Sequence, residues 1–173
     1  MMTHVARVNG YYTGVVHGNI DALWDVLMDW GDISWFHHGD NDGPALALSF
    51  LEGEPDAIPR TRVMTRDNAV DAGLPLENRE VLILADKKSY RIYYDANDGM
   101  IGGIRNYLAS WTLDPISDDS CQMSIQSMYD VDETGTVEEA KGWLDAVYVM
   151  IVEGLDRHMI KQRGAEAALS SPA

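Results

Sequence analysis

A chain of 173 residues, 46% of them hydrophobic, is long enough for one domain with its own buried core. Its 28 acidic residues against 13 basic ones leave a formal net charge of -15, which argues against binding phosphate backbones or anionic membrane surfaces. The opening MMTHVARVNGYY has neither the basic start nor the apolar run of a signal peptide, and no apolar run approaches the ~20 residues that span a bilayer. The lone Cys121 permits neither an internal disulfide nor a cysteine metal cluster, so a reducing, cytoplasmic setting is expected.

Residues 5–18, VARVNGYYTGVVHG, are rich in Val, Tyr and Thr and predict a first strand, with Gly10 or Gly14 marking a bulge. The period then changes: Asn19 suits an N-cap, and Ile20, Leu23, Trp24, Leu27 and Met28 recur at helical spacing until Gly31. A second short helix is predicted over 33–38. Beyond the Gly- and Asp-rich stretch 39–43, which reads as a turn, strand-like segments cover 45–52, 60–66, 79–85, 89–94, 104–113 and 121–131. Turn signals separate them, among them Glu54-Pro55-Asp56, Ala85-Asp86-Lys87, Asn97-Asp98-Gly99 and Asp114-Pro115, so consecutive strands should form an antiparallel meander. The longest helix covers 137–162, with Trp143, Val147, Met150, Ile151, Gly154, Leu155 and His158 on one apolar face. The small, polar stretch 164–173 is expected to fray as a disordered tail, leaving 1–163 as a single domain. The fold class is α+β: a curved, seven-stranded antiparallel sheet wrapped around a long C-terminal helix, with two short helices after the first strand.

Three stretches carry a resemblance to a known superfamily. Ile20-Asp21-Ala22-Leu23-Trp24-Asp25-Val26-Leu27, with Trp30-Gly31-Asp32 and Trp35, resembles the first helix and the start of the second in the SRPBCC superfamily of birch-pollen allergens, START domains and polyketide cyclases. Ala72-Gly73-Leu74-Pro75 resembles the loop that gates the pocket in the plant hormone receptors of that superfamily. Arg105-Asn106-Tyr107-Leu108-Ala109-Ser110 resembles their N-Y-x-S strand, with Ala109 in place of a hydroxyl two residues after the tyrosine. The resemblance spans 8–160 and implies a helix-grip fold around an internal cavity, which serves aromatases and cyclases, hydratases, lipid carriers and hormone receptors alike.

In such a fold, period-2 parity sorts residues by face. In 121–131 the odd set Met123, Ile125, Ser127, Tyr129 and Val131 points inward, and in 104–113 the set Tyr107, Ala109, Trp111 and Leu113 does. The run 79–85 is apolar throughout and its parity is open; the resemblance favours Glu80, Leu82 and Leu84 facing in. In 60–66, Arg62, Met64 and Arg66 oppose Thr61, Val63 and Thr65, and the match of Thr61-Arg62 to the receptors' strand before the gate makes Arg62 the counter-ion of Glu80. A buried carboxylate or guanidinium is costly unless paired, whereas an Arg/Glu pair beside a phenol is a satisfied cluster that can polarise a ligand carbonyl or hold an enolate. The resemblance then implies Glu80 as general base or acid, Arg62 for an oxyanion, and Tyr107 or Tyr129 for proton delivery.

The candidate ligand walls are Trp35 and Phe36 on the second helix, Met64, and Leu74 and Pro75 at the gate. From the sheet come Leu82, the aromatic strand with Tyr90, Ile92 and Tyr94, then Ala109, Trp111 and Ser127. The long helix contributes the stripe Trp143, Val147 and Ile151, although apolar stripes of this kind are more often core packing.

The stretch SWFHHGDNDG, 34–43, holds two adjacent histidines. On a helix they point about 100° apart and do not easily share one ion, so no metal is expected; with no Gly-rich phosphate loop and no dinucleotide fingerprint, no organic cofactor is expected either. His38, or His37 in its place, stays an acid/base candidate. The expectation is a protein that encloses a hydrophobic, aromatic or polyketide-like small molecule and promotes cyclisation, dehydration or a related proton transfer. The competing reading is a binding or carrier protein in which Glu80 and Arg62 only orient the ligand; a third is a regulatory module with Gly73-Leu74-Pro75 as a mobile gate. The expected partner is a hydrophobic small molecule, with no nucleic acid and no membrane insertion, and a homodimer is left open.

Overall fold

A computed structural model describes residues 5–36, 46–66, 73, 75–98 and 100–169. The first strand, β1 (Ala6–Val16), runs directly into a helix because Asn19 holds an extended backbone and its side chain accepts from the Asp21 and Ala22 amides at 2.9 and 3.3 Å. That helix, α1 (Ile20–Met28), buries Leu23, Trp24 and Leu27 and ends at Asp29, short of Gly31. The second helix is only a 3-10 turn, Ser34–Phe36, with Trp35 buried; His37, His38 and the turn 39–43 lie outside the described residues.

Six further strands follow: β2 (Leu46–Glu52), β3 (Arg60–Arg66), β4 (Glu77–Asp86), β5 (Arg91–Asp98), β6 (Ile104–Ser117) and β7 (Ser120–Val131). Every neighbouring pair is antiparallel, and the sheet order is β1-β7-β6-β5-β4-β3-β2. The predicted α+β arrangement is therefore present, and the segment 20–36 carries the chain from one sheet edge to the other.

Four local readings change. Asn97 and Asp98 belong to β5 and not to a turn, and β6 continues through Asp114-Pro115, with an irregularity between Pro115 and Ser117 that accommodates the missing amide. A register shift between Leu82 and Leu84 ends the alternation of β4, so Leu84 is 45% exposed instead of facing inward. No bulge occurs at Gly10 or Gly14, because β1 and β7 pair without a break from Ala6↔Val131 to Val16↔Cys121.

The glycines of β1 serve the helix instead. The chain's longest element, α2 (Val137–Leu169), starts at a capping box in which Thr136 Oγ1 accepts from the Glu139 amide at 3.2 Å and donates to its carboxylate at 2.7 Å. It lies across the inner face of β1, where a Cβ on Gly10 would stand 3.1 Å from the Tyr148 ring. A Cβ on Gly14 would stand 2.8 Å from Val152 Cγ1, and one on Gly18 2.7 Å from Met159 Cε. Glycine at every fourth position thus lets helix and sheet approach more closely than any side chain would permit. Leu144, Tyr148, Val152, Leu155 and Met159 are buried in consequence. Residues 160–169 continue the helix with no buried side chain, into the stretch expected to fray. Among the described residues no helix is long and apolar enough to cross a membrane.

The docking of α2 can be tested by a compensating pair. Gly14→Ala is expected to destabilise by about 1–3 kcal/mol through overpacking against Val152. Val152→Ala in the same chain is expected to recover part of that loss, so that the double variant is more stable than the sum of the singles requires. Urea midpoints of the four proteins measure the coupling; strict additivity would place α2 away from Gly14.

Candidate functional site

The site begins with a cross-strand pair. In the β3–β4 register Arg62 stands opposite Glu80, and both side chains project to the concave face of the sheet. Arg62 Nε donates to Glu80 Oε2 at 2.7 Å and Nη2 forms a second, shorter contact with the same oxygen. The pair is nearly dry, with Arg62 6% and Glu80 13% exposed. Trp30, just past α1, holds both partners: its ring lies 3.8 Å below the Arg62 guanidinium carbon, and its indole N–H donates to the Glu80 backbone carbonyl at 3.2 Å.

Two further polar residues extend this wall. Arg66, two positions along β3, donates from Nη1 to the Pro75 carbonyl at 2.9 Å; burial pulls its guanidinium below the usual value, and the Glu80 charge opposes that fall. Asn78, two positions before Glu80, donates to Oε1 at 3.4 Å, while its own side-chain carbonyl oxygen is buried without a partner among the described residues.

A line of hydroxyls runs away from this wall toward β1. Tyr94 and Tyr107 lie 3.4 Å apart, Tyr107 and Tyr148 3.2 Å, and Tyr148 and Ser127 2.5 Å, measured between oxygens. Burial raises Tyr94, Tyr107 and Tyr148 above the ordinary phenol value, so all three stay protonated.

These groups border a cavity of about 290 Å³. Arg62, Arg66, Asn78 and Glu80 form its polar side; Tyr94 and Tyr107 lie next to them. Trp35 and Phe36 close one end, and Trp143, Val147 and Ile151 of α2 supply the apolar side. Met150 lines it while 40% exposed, which places an opening beside α2.

Of the predicted site residues, Glu80, Arg62, Tyr107, Trp35, Phe36, Met64, Tyr94, Trp143, Val147 and Ile151 meet around this cavity. His38 and Leu74 fall outside the described residues. The others lie elsewhere. Ala109, Ser127 and Tyr129 face inward as parity requires, but α2 lies over that half of the sheet: Ser127 bonds Tyr148, and Tyr129 is 1% exposed. Burial pushes the Tyr129 phenol up to about 12, and its hydroxyl has no hydrogen-bond partner among the described residues. Leu82 and Ile92 are core, and Trp111 packs among Trp30, Trp35 and Tyr94. Tyr90 precedes β5 at a positive φ of 45° and turns to α1, donating to Asp21 at 2.8 Å and meeting Trp24 edge-on. Pro75 is exposed and touches the site only through its carbonyl.

Sequence reasoning passed over several lining residues. Arg66 shared the parity of Arg62 and could have been read with it, whereas Asn78 lies before the expected start of β4. Met100 and Ile101 come from a connection with no periodicity to reveal them. Gly135 holds that connection against the start of α2, since a Cβ there would stand 2.0 Å from the Gly102 carbonyl oxygen.

No protein-family model matches the chain, and no curated protein sequence matches it either. Solved structures do. Norcoclaurine synthase from Thalictrum flavum, in complex with dopamine and hydroxybenzaldehyde, is 16% identical over 91% of this chain and 88% of its own, with a TM-score of 0.64. The protein XoxI from Bacillus cereus is 13% identical over 90% of this chain and 98% of its own, with a TM-score of 0.70. A protein from Nitrosospira multiformis is 19% identical over 88% of this chain and 96% of its own, with a TM-score of 0.65. What these proteins share with the chain is the fold: the birch-pollen-allergen-like helix grip, a seven-stranded antiparallel sheet around a long C-terminal helix.

Proposed function

We propose that residues 1–163 act as one cytoplasmic ligand-binding domain, which encloses an aromatic or polyketide-like molecule and promotes proton transfer on it, as in a cyclisation or dehydration. The observation that carries this reading is the nearly dry Arg62–Glu80 pair on the wall of an otherwise largely apolar cavity. A carboxylate there can take a proton from carbon beside a carbonyl, and a guanidinium with protonated phenols nearby can hold the enolate that results. The aromatic lining of the cavity, Trp35, Phe36 and Trp143, suits a planar ring system. The complex of norcoclaurine synthase, a protein of this fold, with dopamine and hydroxybenzaldehyde supports an aromatic ligand.

A carrier is the second reading, and one observation favours it. Arg62 is already engaged by Glu80 and by the Trp30 ring, so the cluster is a self-satisfied network that can orient a ligand without reacting with it.

Native mass spectrometry of the protein purified without denaturation is expected to reveal a co-purifying aromatic or polyketide-like molecule. With that compound as substrate, Glu80→Gln should lower turnover by about 10²–10⁴-fold while changing affinity far less. Weaker binding with unchanged product formation in both Glu80→Gln and Arg62→Met selects the carrier reading. Tyr129→Phe should leave turnover unchanged and should not reduce stability, since it removes a buried hydroxyl without a partner.

A further inference from the structure

The hydroxyl line from Ser127 to the cavity has a direction. Each hydroxyl donates one proton, and among the described residues the Ser127 side chain has Tyr148 as its hydrogen-bond partner. Pointing the Ser127 proton at Tyr148 leaves the Tyr148 proton for Tyr107, whose oxygen is 3.2 Å away. Tyr107 is left with its proton on the cavity side, beside the Tyr94 hydroxyl. Their separation of 3.4 Å is longer than an ordinary O–H···O bond of about 2.7–2.8 Å, so the two phenols bind one another weakly. Two donors at this spacing can both reach a third oxygen placed between them.

We infer that Tyr94 and Tyr107 form a two-donor seat for one oxygen of the ligand, and that Tyr148 and Ser127 are the positioning residues that aim it. The seat deepens the proposed reading and rests on it, since it requires an aromatic ligand in this cavity. It selects ligands that carry a carbonyl, enolate or phenolate oxygen near one end of the ring system, where negative charge develops against two protonated phenols. Gly10 belongs to the arrangement from behind: a Cβ there would stand 2.5 Å from Ser127 Oγ and 3.1 Å from the Tyr148 hydroxyl, so only glycine leaves the two free to meet.

The probe is 2-naphthol, whose ionisation is followed by absorbance while bound to the full chain. Bound probe is expected to ionise about one pH unit below free probe, a tenfold preference for the naphtholate. Tyr94→Phe and Tyr107→Phe should each remove most of that preference. Tyr148→Phe and Ser127→Ala do not touch the probe, and each should reduce the preference roughly two- to threefold while leaving the binding of neutral naphthol unchanged. Thermal unfolding midpoints identify any variant that fails to fold, and Ser127→Ala, which deletes one oxygen, carries the test if Tyr148→Phe does. An ionisation midpoint that does not move on binding overturns the seat, as does a shift that survives both Tyr94→Phe and Tyr107→Phe and disappears only in Arg62→Met. Failure of naphthol to bind at any pH overturns the aromatic-ligand reading itself, and the seat with it.

Discussion

The close approach of α2 to β1 governs the rest of this structure. A curved sheet offers one concave face, and a helix laid on it can fill all of that face or only part. Because Gly10, Gly14 and Gly18 carry no side chain where α2 crosses them, α2 sinks onto the β1–β7 side. The same approach leaves open the region under β3, β4 and β5, and the cavity lies there. Facing inward is therefore a necessary condition for reaching a ligand and not a sufficient one. Tyr107 and Tyr129 are both inward and adjacent, with ring centroids 6.2 Å apart, but only Tyr107 borders the cavity.

The open half is also where the chain puts its buried charge. An isolated guanidinium or carboxylate in this setting would be strongly destabilising, and the ion pair, the Trp30 ring and the Asn78 amide together offset that cost. Trp30 links the aromatic core to the charged wall, since the ring that packs against Tyr94 and Trp111 also fixes the height of Arg62 above it. Polar chemistry is thus concentrated on one wall, while α2 presents the other as apolar surface. An amphipathic ring system is the shape such a division selects.

Much of this was legible in the sequence, for identifiable reasons. Alternation along β3, β6 and β7 separated inner from outer residues because each strand has one buried face, and the pairing of Arg62 with Glu80 follows once β3 and β4 are neighbours. Asn19 declared the start of α1 through cap chemistry that is local to three residues. Where tertiary contacts decide, sequence alone misled. Glycines in a strand look the same whether they make a bulge or receive a helix, and the inward residues of β7 look the same whether a helix or a ligand covers them. Tyr90 failed for a third reason: its positive φ takes it out of the strand to which its composition assigned it.

The geometry of α2 separates two tasks on one element. Tyr148, Val152 and Met159 meet Gly10 and Gly14 of β1 and Gly18 just after it, whereas Trp143, Val147 and Ile151 face the cavity. Changes in the first set are tied to matching changes in the strand, because neither side has room to spare. The second set also packs on the core, but its cavity side borders open space that a ligand can fill. A lineage could therefore exchange one small molecule for another by altering a few residues on one side of the helix, while the grip that makes the fold is inherited unaltered.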